Sequence, residues 1–178
     1  MDFKIVENVL PETVFKELEK ALDGAFFKSY DVGGNQLYYH EIPNGVAKLL
    51  SDVCSREVGK ELSTILSFAR LNTPELNTEF RVHADSVIFN QKPTIASVFY
   101  LKDSIDSGTA LYEHPVYGNK HVAGKNPQII LEDDGKWHAY KKYYAKANTM
   151  FIYNSDLYHG RFPWKVNEER IVLVNFMR

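Results

Sequence analysis

His83 and Asp85 stand two apart in the stretch FRVHADS, residues 80–86, among residues that favour strands. Side chains at i and i+2 of a strand leave the same face. An imidazole and a carboxylate so placed can bind one metal ion together. The motif alone is weak, because a chain with 6 His yields about 0.3 such matches by chance. His159, at the end of the run MFIYNSDLYHG, strengthens it. In a β-sandwich a distant strand can return a second imidazole to the first pair. Two imidazoles and one carboxylate then occupy one face of an octahedron. That set suits Fe(II) and leaves three positions open. Arg170 opens the last apolar run, RIVLVNF. A guanidinium there can hold a carboxylate through two parallel hydrogen bonds.

These residues need strands to carry them, and the chain supplies strand-like runs from about residue 62 onward. They are LSTILSFARL, TEFRVHAD, TIASVFYLKD, GTALYEHP, NTMFIYN, DLYHGRF and RIVLVNFMR. Turn chemistry separates them in NTPELN, FNQKP and DSIDSG. Many short strands in series predict a sandwich or jelly roll. The segment 115–146, with Gly118, Gly124, Pro127 and DDG, reads as an insertion between core strands that covers a site. Its end, KWHAYKKYYAK, reads as an amphipathic, half-solvated face.

The first sixty residues differ. DFKIVENVL reads as a short strand. PETVFKELEKALDG carries Val14, Phe15, Leu18, Ala21 and Leu22 at helical spacing, with Pro11 as opener and Gly24 as stop. QLYYHEI (36–42) reads as a strand. Asn44 is placed to cap a second helix through about Arg56, with Val46, Leu49, Leu50 and Val53 on one face. The expected fold is mainly β with flanking α, in one domain over 1–178. Its helical part is about 1–60 and its β-core about 62–178.

Composition narrows the function. With 178 residues and 44% apolar content, the chain can bury a core. The net charge of −2 and the scattered Lys and Arg argue against a nucleic-acid partner. The single cysteine, Cys54, excludes an intramolecular disulfide and a Cys-rich zinc site, and reads as a buried residue on a helix. It suits a reducing, cytoplasmic setting. Neither a signal peptide nor a membrane span is visible. Oligomeric state is not readable. His40, His114, His121 and His138 read as surface or pocket residues. Arg81 and Arg161 flank the proposed ligands and are candidates for contacts around them.

The order His-x-Asp, a long gap, His, then Arg resembles the Fe(II)/2-oxoglutarate-dependent oxygenases, particularly the prolyl-hydroxylase-like group. The resemblance covers roughly residues 68–178. SVFYLKD (97–103) is similar to the strand that follows the His-x-Asp there, and SGTALYEHP (107–115) to the Gly-Gly-x-Leu segment after it. The resemblance implies a double-stranded β-helix (jelly-roll) core preceded by N-terminal helices. It implies Fe(II) on His83, Asp85 and His159, and 2-oxoglutarate anchored by Arg170. It implies a Tyr100 hydroxyl on the distal carboxylate of 2-oxoglutarate, O₂ as oxidant, and ascorbate as a reductant that keeps iron ferrous. It also implies hydroxylation of an amino-acid side chain in a protein, peptide or small molecule, with release of succinate and CO₂. Two features depart from the pattern. Arg170 lies one residue further from His159 than is most common, and Val172 stands where many members carry Ser or Thr. The rival reading is a cupin-like module that binds a metal or ligand without oxidising anything.

Overall fold

The computed structural model describes residues 2–32, 35–75 and 80–178. The elements run in chain order as β1 (Phe3–Glu7), α1 (Glu12–Leu22), β2 (Lys28–Val32), β3 (Asn35–Glu41), α2 (Asn44–Val58) and β4 (Thr64–Asn72). They continue as β5 (Val82–His83), β6 (Ile95–Tyr100), β7 (Gly108–Glu113) and β8 (Ile129–Ile130). The last four are β9 (His138–Tyr144), β10 (Thr149–Asn154), β11 (His159–Phe162) and β12 (Arg170–Met177). Among the described residues two antiparallel sheets form. One has the order β1-β10-β6-β12-β4-β3-β2 and the other β8-β5-β11-β7-β9.

Strand alternation divides the larger sheet into two faces. Ala69, Phe99, Met150, Ile152 and Leu173 point to one side. There they meet Phe15, Leu18 and Leu22 of α1 and Leu50, Val53 and Cys54 of α2. Both helices bury one stripe, as their 3.6-residue periodicity requires. The intervening residues Phe68, Val98, Phe151, Val172 and Val174 point the other way, and pack with Leu111, Leu157 and Ala145 between the sheets. β6 lies in the interior of the sheet and is covered on both faces. Its residues IASVFY are therefore all buried. The functional side chains project into the space between the sheets.

Several sequence expectations change. The stretch 136–146 is no insertion face. It contains β9, which pairs with β7 along its length and forms an edge of the smaller sheet. Its lysines obscured the strand. An edge strand keeps charged residues toward water, and a register shift at Leu111/Tyr112 breaks strict alternation. Within the same segment β8 pairs with β5. The strands expected at DFKIVENVL and QLYYHEI form as β1 and β3, and β2 is an additional one with no apolar alternation to announce it; all three join the larger sheet, so the β-core draws on the first sixty residues too. Pro43, not Asn44, occupies the cap of α2, and Asn44 is its first helical residue. The turn expected at 72–77 and the strand expected at 78–85 fall partly on residues 76–79, outside the described residues; the strand that follows is only Val82–His83. Among the described residues no helix is long and apolar enough to cross a membrane.

Candidate active site

β5 and β11 are antiparallel neighbours, and their register sets His83 opposite His159. Facing residues in such a pair share a side of the sheet. The two imidazoles accordingly lie 4.3 Å apart between ring centroids. Asp85, two residues past His83, returns to the same side. Its carboxylate Oδ1 lies 3.5 Å from His159 Nε2. One ligand atom from each of His83, Asp85 and His159 falls within 4.8 Å of the others. This is the one such group of His, Cys, Asp or Glu among the described residues.

Contacts with the backbone hold two of the three, Asp85 and His159, in place. The Asp85 N–H donates to the Ser155 carbonyl (2.9 Å), and Lys92 Nζ donates to the Asp85 carbonyl (2.6 Å). His159 Nδ1 donates to the Leu157 carbonyl at 2.9 Å. A carbonyl can only accept, so Nδ1 carries the proton and Nε2 keeps its lone pair toward the cluster. Tyr153 packs its ring on His159 at 4.5 Å. Gly160 allows the close approach of the strands, since a Cβ there would sit 2.5 Å from the Arg81 carbonyl oxygen.

The donor set fits a divalent metal. His83 Nδ1 and Asp85 Oδ2 are buried without a hydrogen-bond partner. Burial, and then the nearby His159, Arg81, Arg70 and Arg161, hold the His83 imidazole well below its ordinary pKa. It is thus neutral, as a metal ligand must be. Burial and the Asp85 charge push the Tyr153 phenol upward, so it stays protonated beside the cluster.

Two residues along β11, about 7 Å at strand rise, the register pairs Arg161 with Thr109 of β7. Here the sheets meet through polar groups. The Tyr100 hydroxyl donates to Thr109 Oγ1 at 2.7 Å. Arg170 Nη1 donates to the Gly108 carbonyl (2.7 Å) and Nη2 to Thr109 Oγ1 (3.4 Å). The guanidinium lies 5.4 Å from the Tyr100 ring centroid. Arg170 Nε is buried and has no partner. Burial lifts the Tyr100 pKa to about 12, so its hydroxyl remains a donor. Arg170 is turned inward to these groups rather than outward to Glu168 or Glu169.

The structure therefore brings together all five residues singled out from sequence: His83, Asp85 and His159 in one cluster, Tyr100 and Arg170 in another. Thr109 was missed as a participant. A Thr109 hydroxyl from the facing sheet lies beside Arg170, where no pattern local to Arg170 could signal it. Arg70 was also missed. It lies on β4 in register with Val172, which is in register with Tyr100. His114, read as a surface or pocket residue, is buried, with Nε2 3.1 Å from Asp134 Oδ2 and its ring against Tyr117 and Trp137.

No protein-family model matches the chain, and no curated protein matches its sequence. Solved structures do match its fold. The carbocyclase SnoK of nogalamycin biosynthesis, non-heme and α-ketoglutarate dependent, superposes with a TM-score of 0.68 at 15% identity. The match covers 99% of this chain and 79% of that one. HygX from Streptomyces hygroscopicus, with nickel, 2-oxoglutarate and hygromycin B bound, gives 0.63 at 12% identity over 99% and 82%. A Pseudomonas putida prolyl-4-hydroxylase gives 0.59 at 12% over 99% and 92%. At such identities the likeness is one of architecture. This chain has the jelly-roll fold of the iron- and 2-oxoglutarate-dependent oxygenases.

Proposed function

We propose that this chain is an Fe(II)- and 2-oxoglutarate-dependent dioxygenase that hydroxylates a C–H bond. Its substrate would carry an amino-acid-like side chain, in a small molecule, peptide or protein. One observation carries this reading: the inward cluster of His83, Asp85 and His159, with a buried arginine anchor about two strand residues away. The separation suits a five-carbon diacid that touches a metal at one end and a guanidinium at the other. Iron, nickel and 2-oxoglutarate in structures of the same fold support the choice of cofactor.

His83, Asp85 and His159 would hold the metal, with Asp85 offsetting part of its charge. Arg170 would receive the distal carboxylate through its free Nε and its Nη groups. The Tyr100 hydroxyl would turn from Thr109 to the same carboxylate, or share it. Val172, Tyr153 and Leu111 keep water from the space between. Bound iron and 2-oxoglutarate would supply oxidation of the C–H bond by O₂, coupled to decarboxylation to succinate and CO₂. The fold also serves a carbocyclase and an epimerase, so the chemical outcome is set by where a substrate C–H is held.

The test is succinate formation from 2-oxoglutarate by protein loaded anaerobically with Fe(II), on admitting O₂, with Asp85→Ala in parallel. Turnover in the wild type and its loss in a folded Asp85→Ala variant is the expected result. Equal turnover in both would overturn the ligand assignment. Absence of 2-oxoglutarate binding in calorimetry would favour a binding module instead.

A further inference from the structure

His83 and His159 are held by a strand ladder, but Asp85 is not. It lies past the end of β5, which stops at His83. Its peptide is held instead from the turn between β10 and β11. The Ser155 carbonyl accepts from the Asp85 N–H at 2.9 Å. Lys92 Nζ donates to the Asp85 carbonyl at 2.6 Å. The same ammonium lies 2.9 Å from Asp156 Oδ1. The next residue of the turn, Leu157, offers its carbonyl to His159 Nδ1. Three successive residues of one turn therefore act on the two buried ligands: Ser155 and Asp156 on Asp85, Leu157 on His159.

The turn is itself fixed from both sides. Ser155 N–H donates to the Thr94 carbonyl at 3.1 Å, and Ser155 Oγ donates to the Pro93 carbonyl. From outside, His121 N–H donates to the Asp156 carbonyl (2.8 Å) and Tyr158 N–H to the Asn119 carbonyl (3.0 Å). Lys92 thus ties the Asp85 carbonyl to a rigid frame through a charge-assisted hydrogen bond. The aspartate side chain is short, so a shift of its peptide moves the carboxylate almost equally. A metal site tolerates only about 0.2 Å in its ligand distances. Lys92 and Asp156 are 40% and 53% exposed. A pair so exposed adds little to folding stability, and its geometry can matter where its energy does not.

We infer that Lys92 and Asp156 are positioning residues for the metal site. Together they hold the Asp85 carboxylate at the spacing from His83 and His159 that one ion requires. This rests on the metal-ligand assignment proposed above and adds to it two residues that touch no ligand atom. Lys92 acts on the backbone of Asp85, and Asp156 acts through Lys92.

The experiment titrates metal-free protein with Co(II) under nitrogen and follows the visible ligand-field band. Wild type should bind one equivalent, and Asp85→Ala should bind far more weakly. Failure of either would overturn the ligand assignment, and the inference with it. With both in hand, Lys92→Met should raise the Kd for Co(II) about tenfold or more, and should change the position or intensity of the band. Lys92→Arg keeps a cation that can donate to both oxygens, and should restore the wild-type band. Asp156→Ala should weaken binding in the same direction, and either variant decides if the other does not fold. Lys48→Met, which removes an exposed pair with Asp52 on α2, is the control and should change neither affinity nor band. Wild-type affinity and spectrum in Lys92→Met would overturn the inference. So would an equal loss in Lys48→Met, which would trace the effect to surface charge in general.

Discussion

At the scale of single residues, protonation and hydrogen-bond capacity decide what the pocket can hold. His83 has a folded-state pKa well below its value in an unfolded chain, first through burial and then through neighbouring positive groups. The unfolded state therefore takes up a proton near pH 6.5 that the folded state refuses. Stability contributed by the neutral imidazole is complete above that pH and falls as pH drops below it, by about 1.4 kcal/mol per pH unit. Urea unfolding of metal-free protein at pH 7.5, 6.5 and 5.5 should show this slope, and His83→Asn should flatten it. An equal slope in both proteins would place the proton elsewhere. Thr109 offers a second test. Its hydroxyl accepts from both Tyr100 and Arg170, so Thr109→Val removes an acceptor from two buried donors. That costs about 1–3 kcal/mol of positioning. The Kd for 2-oxoglutarate should rise about tenfold, with metal affinity unchanged. Tighter 2-oxoglutarate binding in the variant would show that Thr109 competes with the co-substrate rather than orienting its partners.

At the scale of elements, the site is a consequence of register. His83 and His159 meet because β5 and β11 pair there, and this pairing needs a bare Cα at position 160. Gly160→Ala would drive a methyl group against the Arg81 carbonyl, which is backbone and cannot swing aside. The strands must separate. Titration with Ni(II) should give at least a tenfold weaker site, while far-ultraviolet circular dichroism stays that of the wild type. Unchanged affinity would mean that β5 can shift without moving its ligands. This dependence on register also explains what could be read from the sequence. His83 and Asp85 were legible because a period of two is local, and His159 and Arg170 because each closes or opens an apolar run. Arg70 was not, since a lone arginine within ILSFARL reads as an outward residue until β12 and β6 are laid beside it. Nor was β9, whose lysines and tyrosines satisfy an edge strand and an exposed insertion equally well. The hydroxyl of Thr109 depends on a contact between sheets that no single segment encodes.

At the scale of the whole molecule, stability and chemistry occupy opposite faces of one sheet. The layer beneath the larger sheet is apolar and closed by α1 and α2, with Leu50 and Cys54 fully buried. The layer above it holds the arginines, the histidines and Asp85, groups that are costly to enclose and are kept in place by strand pairing. Burying such polar groups costs stability, and the helical layer offsets that cost. Separate layers should give separable effects. Leu50→Ala leaves a cavity next to α2 and should lower unfolding free energy by about 2–5 kcal/mol. It touches none of the pocket residues, so affinity for Ni(II) and for 2-oxoglutarate should stay within twofold well below the melting temperature. Paired chemical denaturation and calorimetry on wild type and variant would decide the point. If Leu50→Ala weakened metal binding in proportion to stability, the two layers would be coupled through the sheet. The strands that set the His83–His159 register would then depend on the helices packed beneath them.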